Sequence, residues 1–329
     1  MGKSQRPRVG DDFSAFGLYF LSIEPLLFFI SLRSLWLMVL MGPFILRFHC
    51  RSYDLSQRTL IMGVLNVTPD SFSDAGRFFG RQKAVEHGLR LAEAGADILD
   101  IGGESTRPGS KALEEEEEAR RIIPIIQELS KKINIPISVD TRKAGVAERA
   151  LGAGAEMIND ISALRFDERM AQVVAESQVP VVLMHMRGDP ETMQIDTHYN
   201  DLMGELLDFF RERMAYAESR GIHPDRIILD PGIGFGKSLE HNHNLILLKN
   251  LWQFKVLRKP LLIGPSRKAF IGKILGLPPE EREEGTMASV AVAILHGANI
   301  VRVHEVERMR QVVQVADAIL RCTPEDLDH

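Results

Sequence analysis

From Leu60 onward the sequence states one phrase eight times: a short apolar run rich in Ile and Val, then a longer run of helical period. The apolar runs span 61–67, 98–102, 135–140, 157–161, 179–184, 226–230, 260–264 and 300–304. Most are apolar at consecutive positions, the mark of parallel strands covered on both faces. Each gap can hold a helix and two loops, as a connection between parallel strands requires. A small joint also recurs: Ala94-Gly95-Ala96-Asp97, Ala153-Gly154-Ala155-Glu156 and His296-Gly297-Ala298-Asn299 each stop a helical run at a glycine and lead into a strand. Eight such units predict an α/β fold closed into a (β/α)8 TIM barrel. A doubly wound open sheet is the alternative. The count of eight and the lack of a Gly-x-Gly-x-x-Gly turn after the first strand weigh against it.

The helical run 114–133 places Ile122, Ile126, Leu129 and Ile133 on one stripe. Its five opening glutamates suit a helix N-terminus and are expected to face water, and Pro124 should kink the helix or mark a restart. At 329 residues, 45% hydrophobic and 26% charged, the chain has the composition of a globular protein and excludes a disordered or polytopic membrane chain. A net charge of −5 gives no electrostatic footprint for nucleic acid. Cys50 and Cys322 stand far apart with no Cys-x-x-Cys pair, which excludes a disulfide framework and suits a reducing, cytoplasmic setting.

Residues 1–58 read differently from the barrel segment 59–329. They carry seven Lys and Arg against four Asp and Glu, whereas the rest carries 33 against 41. The stretch 16–48 is very apolar, but Glu24, Arg33 and Arg47 interrupt it, and its longest charge-free run is short of the ~20 residues a membrane helix needs. A membrane anchor and a cleaved targeting segment are two readings of this extension. The favoured expectation is a translation start at Met38 or Met41.

In a barrel of this kind the active site lies at the C-terminal ends of the strands. The sequence crowds polar groups there: Asn66, Thr68 and Asp70; Glu104 to Arg107; Asp140-Thr-Arg142; Asn159-Asp160; His185; Asp230; Ser266-Arg-Lys268; and Arg302 with His304. Taken singly, an Asp here is often a helix cap and a His a core residue. Together they should serve a polar ligand or each other, because burying such groups unpaired costs several kcal/mol each. Two carboxylates and an amide suit a planar heterocycle with amino and ring N–H groups, and the cations with His304 suit an anionic leaving group. The stretch Asp230-Pro-Gly-Ile-Gly-Phe-Gly-Lys-Ser238 is not a phosphate loop, since Pro231 stands where the first Gly is required; it is expected to be a flexible loop flooring the pocket.

The motifs Asn66-Val-Thr-Pro-Asp-Ser-Phe-Ser-Asp74, Gly102-Gly-Glu-Ser-Thr-Arg-Pro-Gly109, Ser138-Val-Asp-Thr141, Asn159-Asp-Ile161, Leu183-Met-His-Met186, Asp230-Pro-Gly232, Ser266-Arg-Lys268 and Arg302-Val-His304, in this order, resemble the dihydropteroate synthases. The resemblance covers about Ser52 to Cys322 and none of residues 1–40. It implies a homodimeric barrel that condenses 6-hydroxymethyl-7,8-dihydropterin diphosphate with 4-aminobenzoate, using Mg²⁺. By motif, Asp140, Asn159, Asp230 and Lys268 would hold the pterin edge, Arg302 would stack on its ring, and Met184 and Phe235 would line the pocket. Asn66, Thr106, Arg302 and His304 would hold the diphosphate, with Asn66 an oxygen ligand of the metal. Phe72, Thr106, Arg107, Pro108 and Ser266 would build the aminobenzoate pocket. Ala269 replaces a hydroxyl found in some relatives, which leaves only a backbone donor there. Departure of the diphosphate would leave a pterinylmethyl cation, so no general base is expected, and the loops 68–81 and 104–113 would close as lids. A cobalamin-dependent pterin methyltransferase would not need the Ser-Thr-Arg-Pro or Ser-Arg-Lys motifs; a catalytically silent pterin-binding paralogue is the other alternative.

Overall fold

A computed structural model describes residues 44–49, 51–68, 76–105, 109–110 and 112–322, with side chains from residue 80 in the first helix. Its centre is eight parallel strands: β3 (Leu60–Asn66), β4 (Ile98–Gly102), β5 (Ile137–Asp140), β6 (Met157–Asp160), β7 (Val181–Met184), β8 (Ile227–Asp230), β9 (Leu262–Ile263) and β10 (Ile300–Val303). They pair in the order β8-β7-β6-β5-β4-β3-β10-β9, and a parallel bridge between Leu229 and Leu261 closes the ring. The expected (β/α)8 barrel is therefore the fold. The surrounding helices are α1 (Gly76–Glu93), α2 (Glu115–Leu129), α3 (Ala144–Gly152), α4 (Met170–Ser177), α5 (Leu202–Ser219), α6 (His243–Lys249), α7 (Ala269–Leu275), α8 (Glu283–Leu295) and α9 (Val306–Arg321).

The recurrent joint has one geometry. Gly95, Gly154 and Gly297 take φ of 101°, 109° and 109°, where a side chain would be strained. The next amide reaches back to the helix, Ala96 to Leu91, Ala155 to Ala150 and Ala298 to Ala293, satisfying a carbonyl that the helix end would orphan. The amide after that bonds to the neighbouring strand: Asp97 to Ile61, Glu156 to Ile137 and Asn299 to Leu261. One device thus ends the helix, turns the chain and sets strand register.

Of the segment set apart in the sequence as 1–58, β1 (Ile45–Arg47) and β2 (Ser52–Asp54) form an antiparallel hairpin under the barrel. Leu46, Phe48 and Leu55 are buried against Leu60, Met62, Ile98, Met157, Val182, Ile228, Leu262 and Ile300, residues near the starts of the strands. The hairpin plugs the end of the barrel opposite the polar rim. Among the described residues no helix is long and apolar enough to cross a membrane.

One expectation about α2 is corrected. The helix runs through Pro124 without the restart that was one of its two expected outcomes. Glu118, one of the five glutamates, does not face water: it is 1% exposed and its carboxylate pairs with the ammonium of Lys143. Each helical residue turns about 100° from the last, so five consecutive residues sweep past the buried face. Burial pushes the Glu118 carboxyl above its ordinary range, against the pull of Lys143.

Candidate active site

Strand register sets the site. Asn66 pairs with Gly102, Gly102 with Asp140, and Asp140 with Asn159, so four neighbouring strands end at one level. Further round the barrel, Met184 pairs with Asp230. Arg302 lies on β10, beside β3, and reaches across to this row.

Arg302 spans two carboxylates. Its Nε donates to Asp100 Oδ2 at 2.6 Å and its Nη2 to Asp140 Oδ2 at 2.8 Å. Asn159 Nδ2 donates to the same Asp100 oxygen at 3.1 Å. Charge-assisted hydrogen bonds of this length are the strong ones. Burial alone would lower the Arg302 pKa, and Asp100 and Asp140 more than offset that. Burial pushes Asp140 well above the usual carboxylate range, with Arg302 opposing and Asp100 reinforcing. Asp100 Oδ1, Asn159 Oδ1 and Ser138 Oγ are buried with no hydrogen-bond partner among the described residues. Buried polar groups are seldom left so, and three on the neighbouring strands β4, β5 and β6 give this part of the barrel a polar interior.

The second half of the site faces this cluster. Asp230 Oδ1 accepts from the Gly232 amide at 2.7 Å, and burial pushes its pKa up to about 6 despite that bond and the nearby Lys268. Burial, with Arg302 nearby, brings Lys268 down to about 8, while Asp230 and Asp140 pull it the other way. The Lys268 ammonium sits 4.2 Å from the centroid of the Phe235 ring, within cation–π range. Phe235, Met184, Ile161, Met186 and Met193 pack into a small apolar cluster of their own, a greasy wall beside the charges. Ser266 Oγ lies 2.8 Å from His304 Nδ1, tying β10 to the loop after β9.

The structure thus gathers Asp140, Asn159, Met184, Asp230, Phe235, Lys268, Arg302, Ser266 and His304 at the C-terminal ends of the strands, with Asn66 half-buried at the end of β3. Phe72, Thr106, Arg107 and Pro108 lie outside the described residues. The sequence reading missed Asp100 and the partners of two residues it did name, Glu104 and Lys237. Asp100 sits mid-strand in Ile-Leu-Asp-Ile-Gly; its signal was a lone carboxylate in a wholly buried run, which cannot persist without a cation. Glu104 pairs with Arg142 at 3.1 Å and with Lys143, and accepts from the Leu113 amide at 3.1 Å. Lys237 is buried in the glycine-rich loop and bonded to His185. That loop is also not the flexible floor expected. Asn244 Oδ1 takes the Gly234 amide at 2.7 Å, Gln194 Nε2 donates to Gly234 O at 2.9 Å and Tyr199 Oη to Gly236 O at 2.9 Å. Glycines give the loop its turns, but side chains from other segments hold it.

Comparison with known proteins agrees with this geometry. The family model described as pterin binding enzyme matches residues 62–304. The dihydropteroate synthase of Synechocystis is 51% identical over 270 residues, 82% of this chain and 93% of the relative. The Xanthomonas albilineans dihydropteroate synthase solved with 4-aminobenzoic acid superposes with a TM-score of 0.80 at 44% identity, over 86% of this chain and all of that one. The same enzyme in complex with 7,8-dihydropteroate gives a TM-score of 0.76 at 42% identity, over 85% of this chain and all of that one. With a barrel of this order, a rim of these residues and similarity of this extent, the chain belongs to the dihydropteroate synthase family.

Proposed function

We propose that this barrel is the folate-synthesis transferase that joins 6-hydroxymethyl-7,8-dihydropterin diphosphate to 4-aminobenzoate, releasing diphosphate and 7,8-dihydropteroate. The observation that carries the reading is a buried polar cluster around one guanidinium: Asp100 and Asp140 on Arg302 and Asn159 on Asp100, with Asp230 and Lys268 opposite. A flat bicycle with amino and ring N–H groups on one edge and a carbonyl beside them matches that set of donors and acceptors. Asp140, Asn159 and Asp230 receive the N–H edge, Lys268 donates to the carbonyl and ring nitrogen, Arg302 lies on the ring face, and Met184 and Phe235 close the apolar side.

The bond between the methylene carbon and the diphosphate oxygen breaks with its electron pair leaving on the diphosphate. Arg302, His304, Thr106 and Asn66 receive the negative charge as it develops, where fixed charges stabilise most. The amine nitrogen of 4-aminobenzoate then bonds to the methylene and gives up a proton to the released diphosphate or to water. No side chain need remove that proton before attack, because the electrophile is already cationic. Phe72, Thr106, Arg107, Pro108 and Ser266 hold the aminobenzoate.

Mg²⁺ fits this donor set. Among the described residues no three His, Cys, Asp or Glu side chains gather into a metal cage. Asn66 offers one neutral oxygen at the rim, which suits a hard cation that keeps waters and shares a substrate phosphate. When bound, the ion neutralises charge on the departing diphosphate. A homodimer accounts for the outward apolar side chains of α8 and α9, two helices packed together: Val292, Leu295, Val315, Ile319 and Leu320 are each about 40–62% exposed.

Incubating the purified protein with pterin diphosphate, 4-aminobenzoate and Mg²⁺ tests the reading. Formation of 7,8-dihydropteroate that stops on chelation and returns with added Mg²⁺ is expected; no product above background would reject it.

A further inference from the structure

The segment Asp230-Pro-Gly-Ile-Gly-Phe-Gly-Lys237 has the look of a phosphate loop, yet its lysine turns inward. Lys237 is 1% exposed. Its ammonium bonds to His185 Nδ1 at 2.9 Å, Gly232 O at 3.1 Å and Phe235 O at 2.9 Å. An ammonium has three protons, and here there are three acceptors. Burial brings the Lys237 pKa down to about 7, with Asp230 pulling it the other way; with the lysine protonated, His185 accepts on Nδ1 and its ring is neutral with the proton on Nε2. Burial, with Lys237 alongside, favours that neutral form.

The loop is folded around this cation. Gly232 takes φ of +70°, and a Cβ there would meet the His185 carbonyl oxygen at 2.0 Å, so only glycine lets the chain pass. Gly234 and Gly236 also have positive φ, and the alternation helps turn the carbonyls of residues 232 and 235 toward the ammonium. The same two residues place the pocket groups. The Gly232 amide holds the Asp230 carboxylate, and the Phe235 ring lies under Lys268. One buried cation therefore grips both points from which the loop presents a carboxylate and an aromatic face.

We infer that Lys237 is a positioning residue for the pterin: bonded to His185 on β7's trailing end and to the carbonyls of Gly232 and Phe235, it fixes the loop in the shape that sets pterin affinity. The inference rests on the proposed function, since the ligand of the loop is the pterin of that reaction. Lys237 touches no reacting atom and supplies no proton to the chemistry. Its loss leaves two carbonyls without their donor and frees the loop, so the effect falls on binding.

The test is calorimetric binding of 6-hydroxymethyl-7,8-dihydropterin diphosphate, paired with steady-state kinetics, on the full chain. Lys237→Met should weaken pterin binding on the order of tenfold, the cost of re-ordering on binding a loop that the lost bonds have freed. Its kcat and its KM for 4-aminobenzoate at saturating pterin should stay within about twofold, a split that general loss of structure would not produce. His185→Gln keeps an acceptor for the lysine and should retain binding within about threefold, whereas His185→Leu removes it and should fall about tenfold. If Lys237→Met does not accumulate as folded protein, the His185 pair decides alone. Wild-type affinity in Lys237→Met, equal losses in the two His185 variants, or a fall in kcat with unchanged pterin binding would each overturn the inference. Wild-type protein that binds no pterin would overturn the proposed function with it; wild-type turnover alongside unaffected variants would overturn this inference alone.

Discussion

Asp100→Asn isolates the electrostatic part of the pterin pocket. Asp100 is fully buried, and one oxygen, Oδ2, receives both Arg302 Nε at 2.6 Å and Asn159 Nδ2 at 3.1 Å. The amide has nearly the same shape, and its oxygen can stand where Oδ2 stands. Its nitrogen then takes the place of Oδ1, which has no partner among the described residues, so no hydrogen bond is lost. What is lost is charge. The guanidinium stays ionised, so its hydrogen bond remains charge-assisted, but the ion pair with Asp100 is gone and the Arg302 contact weakens by on the order of 1–1.5 kcal/mol. Arg302 keeps Asp140 but is no longer fixed in the plane that two carboxylates define. If its guanidinium lies on the pterin ring, that loss should appear as pterin binding about five- to tenfold weaker. Titration calorimetry with the pterin diphosphate measures it, and thermal unfolding of the same sample shows whether stability moved as well. Wild-type affinity in Asp100→Asn would refute the reasoning. A lower Tm with unchanged affinity would assign Asp100 to the barrel core alone.

Lys268→Ala removes a preorganised charge from the pocket and should cut turnover on the order of a hundredfold; a kcat within about threefold of wild type would contradict its role. Asp230 must be ionised to accept the pterin N–H groups, and in the free site its pKa lies at about 6. Asp140, proposed to receive the same N–H edge, is raised by burial to about 7. Pterin affinity should therefore be flat above about pH 7 and fall below it, by about tenfold per unit and more steeply below 6, since binding must first expel the protons. Calorimetry at pH 5, 6 and 8 reads this, and a profile that is flat or rises toward acid would contradict it. Leu46→Ala hollows the plug at the far end of the barrel and should cost ~2–5 kcal/mol of stability without touching pterin affinity. Thermal unfolding should drop by about 5–15 °C, and an unchanged Tm would remove the hairpin from the core.

The barrel was legible because its strands are buried on both faces. Runs such as Ile-Ile-Leu-Asp and Ile-Val-Arg-Val admit little else between amphipathic helices. The joint at Gly95, Gly154 and Gly297 was legible because its backbone needs glycine. The hairpin at 45–54 was not: three-residue strands have no periodicity to read, and the apolar stretch 16–48 masked its few core residues. At the site, residues in or beside the last positions of a strand were found, and the one further inside an apolar run was not. Asp230 announces itself before Pro-Gly, while Asp100 hides inside an apolar run. Lys237 was misread by exclusion, since a lysine in a glycine loop that binds no phosphate was given no partner. Its partners are the loop's own carbonyls and a histidine 52 residues away, and nothing local records them. Glu118 shows the same limit, because only the helix phase decides which glutamate turns inward.

On the proposed function, side chains from separate strands form one pterin pocket at the C-terminal rim. A crystal structure of the protein with 6-hydroxymethyl-7,8-dihydropterin diphosphate tests it most directly. The N–H edge of the ring should lie on Asp140, Asn159 and Asp230, its face against Arg302 and its carbonyl at Lys268. A pterin bound elsewhere, or one bound here with Asp140 and Asp230 still facing only protein, would contradict it.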